Sequence, residues 1–149
     1  MSRLDELFAD YASYHGTAGN RICHRIGIPL ILISLLGLLS RLVVPGTNGW
    51  VDGAMILILV SELFYLRLDW RYGLAMLVIS LLAWWAGRQM SVAANLALFV
   101  LGWVLQFIGH GVYEKKAPAF ARNLIHLLVG PIWILSGLFP RSRAVETTN

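Results

Sequence analysis

Charge is scarce in this chain. Only 13% of its 149 residues are Asp, Glu, Lys or Arg, about half the share usual in a water-soluble domain. That deficit argues against an ordinary soluble fold and for a membrane protein before any position is read. Cysteine is nearly absent, and the single Cys23 excludes an intramolecular disulfide; its neighbour His24 does not by itself make it a nucleophile, and it is read as a packed thiol. Several chemistries are missing too. There is no glycine-rich phosphate loop, no serine nucleophile elbow and no paired-histidine zinc helix. Aromatic and basic residues do not interleave, so the net charge of +4 is read as an orientation signal and contact with membrane lipids, not as nucleic-acid binding. Asp5, Glu6 and Asp10 interrupt the first fifteen residues, which therefore do not read as a signal peptide.

What is present is apolar: 58% of the chain is hydrophobic. Leu4, Leu7, Phe8, Tyr11 and Tyr14 follow the stripe of an amphipathic helix, and His15, four residues after Tyr11, shares it. Apolar spans are predicted over residues 26–44, 50–66, 72–86 and 92–112. A last stretch, 124–139, is interrupted by Gly130 and Pro131, and so reads as a kinked span or a re-entrant hairpin. The turn Pro45-Gly46-Thr47-Asn48-Gly49 separates the first two. The third span is short for a bilayer. The predicted fold is thus one all-α domain, residues 1–149: a multi-pass transmembrane bundle of four to five spans behind an N-terminal amphipathic helix.

With five spans, one side of the membrane holds Arg3, Arg21, Arg25, Arg67, Arg71, Lys115, Lys116 and Arg122, and the other holds Arg41, Arg88, Arg141 and Arg143. This bias places the N-terminus in the cytoplasm. All four histidines, His15, His24, His110 and His126, then fall at the cytoplasmic leaflet. Asn20 and His24 are four apart, as are Gln106, His110 and Glu114, which aligns each set on one helix face. A lone interfacial histidine is adequately explained by a hydrogen bond to a headgroup or a neighbouring helix. Four of them with Asn20, Gln106 and Glu114 attached read as a site, and imidazole suits iron, zinc, copper and nickel. Glu62 is expected to pair with Arg67, and Asp52 to be solvated on the opposite side. Trp50, Trp70 and Trp84 fall near predicted interfaces.

Two segments carry a resemblance. Residues 14–30, YHGTAGNRICHRIGIPL, resemble the N-terminal signature of the membrane 2-hydroxy fatty acid dioxygenases, long catalogued as a domain of unknown function. Residues 103–120, WVLQFIGHGVYEKKAPAF, look like the second signature, and His126 matches a further family histidine. The resemblance covers nearly the whole chain. It implies an Fe(II)-dependent enzyme of fatty acid α-oxidation that uses dioxygen to shorten a long-chain 2-hydroxy fatty acid by one carbon. It further implies metal ligation by His15, His24, His110 and His126, and Asn20, Gln106 and Glu114 match the family's pattern; on chemical grounds a mostly histidine shell is expected, with Glu114 as the group that orients a ring nitrogen. The expected location is a bacterial inner membrane, or the endoplasmic reticulum for a eukaryotic member. Two other classes stay open on the residues alone: a different membrane lipid-modifying metalloenzyme, and a small helper or transporter that uses histidines as a proton relay.

Overall fold

A computed structural model describes residues 2–138. Among these residues the secondary structure is helical, with no strand beyond an isolated bridge between Val43 and Asp52. Six α-helices follow one another: α1 (Arg3–Ser13), α2 (Ala18–Leu39), α3 (Gly53–Leu68), α4 (Trp70–Gln89), α5 (Val92–Ile108) and α6 (His126–Leu138). A π-helical turn, Gly109–Glu114, extends α5, and a short 3-10 turn spans Ala119–Ala121. Phe139 of the predicted last stretch, and Arg141 and Arg143 of the charge bias, lie outside the described residues.

Polar caps set the helix starts. Ser2 and Asp5 form a reciprocal capping box on α1. Thr17, Asp52, Asp69 and Ser91 each accept a backbone N–H in the first turn of the helix that follows. The Thr17 cap explains why α2 begins at Ala18, eight residues before the predicted span. Asp69 likewise starts α4 at Trp70, and α4 runs 20 residues to Gln89, longer than the short third span expected. In the predicted turn, Gly46, Asn48 and Gly49 all adopt positive φ. The last stretch is one helix of 13 residues that continues through Pro131, not a hairpin.

α2 lies centrally, against both α4 and α5. Glycines permit the approach. A methyl group on Gly102 would sit 2.9 Å from the Gly27 carbonyl oxygen, and one on Gly87 would sit 2.7 Å from the Gly37 Cα. Small residues at such crossings let helices pack closely where hydrocarbon, and not water, surrounds them. α1 folds back along α6, burying Leu4, Leu7 and Tyr11 against Val129, Ile132 and Leu135. The outward faces are apolar: Leu59, Val60, Leu82, Trp85, Val100 and Phe107 are each more than half exposed. Two helical stretches, Ala18–Leu39 and Val92–Glu114, are long and apolar enough to cross a membrane.

Two expectations fail. Asp52 is not solvated: it is 1% exposed. Its Oδ1 caps α3 at the Met55 N–H (2.9 Å), and its Oδ2 accepts from the Trp84 indole N–H (3.0 Å) beside the Arg88 guanidinium (3.8 Å). A carboxylate at the end of an apolar helix is buried at low cost when a cap, an indole and a cation share it. Glu62 makes no ion pair with Arg67 among the described residues, and its Oε1 is buried without a partner. The reason is angular, because five residues turn an α-helix by roughly 140° beyond a full circle, which points the two side chains apart.

Candidate metal centre

Three separate elements deliver three imidazoles to one point. His15 stands in the connection between α1 and α2, His24 nearly two turns into α2, and His110 in the π-helical turn that extends α5. Each is nearly fully buried. A ring nitrogen of each lies within 4.8 Å of one from both others, and the ring centroids are 4.3 to 5.0 Å apart.

Backbone carbonyls orient two of the rings. His15 Nδ1 meets the Tyr11 carbonyl oxygen at 2.6 Å, and His24 Nδ1 meets the Asn20 carbonyl oxygen at 3.0 Å. A carbonyl only accepts, so each Nδ1 carries the proton and each Nε2 keeps a free lone pair. The Tyr11 ring stacks on His15, 4.0 Å between centroids and 12° from parallel, which fixes the plane of that imidazole. His15 Nε2 and His110 Nδ1 are buried with no hydrogen-bond partner. Burial, above all, holds the pKa of His15 down at about 4, well below its ordinary value of 6.5. The ring is therefore neutral at physiological pH, as ligation requires. Burial also pushes the Tyr11 phenol up.

Glu114 binds no ring nitrogen, in contrast to the expected orienting role. Its Oε1 accepts from the Gly16 N–H at 3.0 Å. Its Oε2 accepts from the Thr17 N–H and hydroxyl, both at 3.0 Å, and from Asn20 Nδ2 at 3.2 Å. The carboxylate thus ties the π-helical turn to the start of α2, where unsatisfied N–H groups favour an anion. Asn20 completes the staple by donating to the Tyr14 carbonyl oxygen at 2.9 Å. His15, His24 and His110 are all held by segments that this staple joins. π-helical turns concentrate at functional sites, and this one carries both His110 and Glu114.

His126 lies apart from the group of three. Its Nε2 meets Asp10 Oδ2 at 2.9 Å, its Nδ1 is buried without a partner, and its ring packs near Tyr11 and Tyr14. It still lines the same cavity, of about 360 Å³, as the other three histidines. Gln106, one turn from His110, also lines this cavity, and its Nε2 is buried without a partner. The sequence alone does not mark Asp10 or Tyr11 as a site residue. Tyr11 read as one more member of an apolar stripe, and nothing in the spacing pairs Asp10 with a histidine 116 residues away.

The donor set is three neutral imidazoles with no carboxylate among them, which suits a first-row transition metal more than calcium or magnesium. Two unpartnered ring nitrogens in a buried site fit a bound cation, since unmet polar atoms there are otherwise costly.

Comparison with known proteins gives a consistent picture. A family model described as "2-hydroxy-palmitic acid dioxygenase Mpo1-like" matches residues 1–141. A protein of Saccharomyces cerevisiae named 2-hydroxy-palmitic acid dioxygenase MPO1 is 32% identical over 142 residues, covering 90% of this chain and 82% of the yeast protein. No solved structure matches.

Proposed function

The chain belongs to the Mpo1-like 2-hydroxy-palmitic acid dioxygenase family, and from that premise we propose that it is an Fe(II)-dependent dioxygenase that converts long-chain 2-hydroxy fatty acids to acids one carbon shorter. The observation that carries the metal part of this reading is the buried trio His15, His24 and His110, in which His15 Nε2 and His110 Nδ1 meet no protein partner. These three residues would hold the iron, and His126 lines the same cavity beside them. Bound non-haem Fe(II) supplies the one-electron chemistry that lets dioxygen react.

The remaining tasks belong to side chains of this protein. The Tyr11 and Asn20 carbonyls keep His15 and His24 in the Nε2-lone-pair tautomer. Glu114 and Asn20 keep the two histidine-bearing segments in register. The amide of Gln106 is free to donate to an oxygen of the substrate head. Arg25, Lys115, Lys116 and Arg122 lie in or beside the segments that build this end of the bundle, and supply the positive field that draws a carboxylate. Asp10 and His126 together hold a proton at the His126 Nε2–Asp10 Oδ2 contact. Apolar walls keep bulk water from the reacting carbon.

The same reading sets the protein in a membrane as a bundle of four to five spans, N-terminus and metal centre toward the cytoplasm, in a bacterial inner membrane or the endoplasmic reticulum of a eukaryote. Its support is the apolar exterior of the helices and the excess of basic residues on one side. Metal analysis of protein purified without oxygen tests the proposal. One iron per chain is expected, and a folded protein without bound metal would return the chain to the class of non-catalytic helpers.

A further inference from the structure

The cavity is much longer than a metal centre needs. It begins at the four histidines and continues between the helices to Leu36, Leu57, Ile58 and Phe99. Two helices measure its depth independently. From His24 to Leu36 is twelve residues of α2, about 18 Å of helix, and from His110 back to Phe99 is eleven residues, about 16 Å. At the far end Leu36 and Ile58 are not loose lining. Both are at most 5% exposed and pack with Ala54 and Ala83 into a closed cluster. Beyond that cluster stands the Asp52–Trp84–Arg88 group, which ties α3 to α4.

The bore has a cause as well. Midway along the cavity, α3 and α4 present Ser61 and Ser80, small residues in helices otherwise rich in leucine and isoleucine. Ser61 needs no water, because its hydroxyl donates to the Leu57 carbonyl at 2.8 Å and lies 3.0 Å from that of Ile58. Its effect on the cavity is therefore steric: it leaves space where a branched residue would fill it.

We propose that this cavity is a length gauge for one unbranched acyl chain, with its bore set by Ser61 and Ser80 and its end wall by Leu36 and Ile58. A depth of about 16–18 Å accommodates roughly twelve to fourteen extended carbons below the head, at about 1.3 Å of advance per carbon for C–C bonds of about 1.5 Å, so the gauge is filled by a 2-hydroxy acid of roughly fourteen to sixteen carbons. The inference rests on the proposed function for the identity of the head, and on the cavity alone for the length limit. Each methylene moved from water into such a wall raises affinity about fourfold, so affinity should climb steeply with length and stop climbing once the chain meets Leu36.

The test uses the full-length protein in lipid nanodiscs and saturated 2-hydroxy acids of ten to twenty-two carbons. Binding is read by displacement of a fluorescent fatty acid, and turnover of the same acids by mass spectrometry. Each variant is compared with wild type at each length, so that partition into lipid cancels. Ser80→Leu adds volume to existing space and is expected to move the break in the binding profile down by about four carbons. Leu36→Ala is expected to move it up by two or more. A smooth rise with no break, unchanged by Ser80→Leu, overturns the gauge even if every acid is shortened. A break that moves as stated, with no shortened product at any length, supports the gauge and counts against the proposed reaction instead. Binding of no acid at all overturns both.

Discussion

A buried ring nitrogen without a partner is expensive, and two of the three imidazoles gathered at one point carry one. Removal of His110 by substitution with Ala is therefore expected to abolish both metal retention and turnover, read as iron per chain and product formed. His126→Ala should behave differently, because its Nε2 is engaged by Asp10. It should keep most of the metal while turnover falls by roughly 10–100-fold, the range seen when an outer contact of a metal site is lost. Glu114→Gln replaces a carboxylate that accepts from three residues by an amide with one acceptor oxygen. A loss of about 1–3 kcal/mol is expected for the bonds left unmet, with weaker metal binding as a consequence of the loosened staple. Chemical unfolding with and without added iron separates the two effects. His15 also makes stability depend on pH. Its pKa is about 4 folded and 6.5 when unfolded, so between these values the unfolded chain binds more protons. Stability of the metal-free protein should be full above about pH 6.5 and fall steadily toward pH 4. A melting temperature that stayed level over that window would show that His15 is not buried as described. The histidines and their i,i+4 companions were legible because those residue types are rare in an apolar chain. The roles of Glu114, Asp10 and Tyr11 were not, because each depends on a contact between distant segments.

The helices were legible for a different reason. Long apolar runs and sharp polar breaks mark them, and α3, α4 and α5 overlap the spans predicted for them closely. The ends were less visible, since a helix may begin well outside its apolar run when a cap such as Thr17 is available. Asp52 departs from its sequence expectation on the same ground: a charged residue near a helix end looks solvated until the indole and guanidinium from α4 are brought to it. At this scale the packing of α2 against α4 and α5 is the point most open to test. A methyl group on Gly87 would meet the Gly37 backbone at 2.7 Å, and backbone cannot swing aside as a side chain can. Gly87→Ala is expected to cost about 1–3 kcal/mol, read as a shift in the unfolding midpoint in detergent. An unchanged midpoint would mean that these helices are not as close as described.

The whole molecule is a set of helices that turns apolar side chains outward at its sides and imidazoles inward at one end. That arrangement suits a substrate whose tail belongs in hydrocarbon and whose head is polar. In the proposed topology the chemistry sits at one face of the bilayer, and single cysteines introduced at positions 3 and 88 should be labelled from opposite sides, position 3 from the cytoplasm. Labelling of position 3 from outside would invert the topology without touching the metal centre. The central claim concerns the reaction itself. Purified protein supplied with Fe(II), dioxygen and 2-hydroxypalmitate, followed by mass spectrometry, is the direct measurement. The account predicts the fatty acid one carbon shorter, formed by the wild type and absent with His110→Ala. An iron-loaded, folded protein that leaves 2-hydroxypalmitate and its longer and shorter homologues untouched would contradict it.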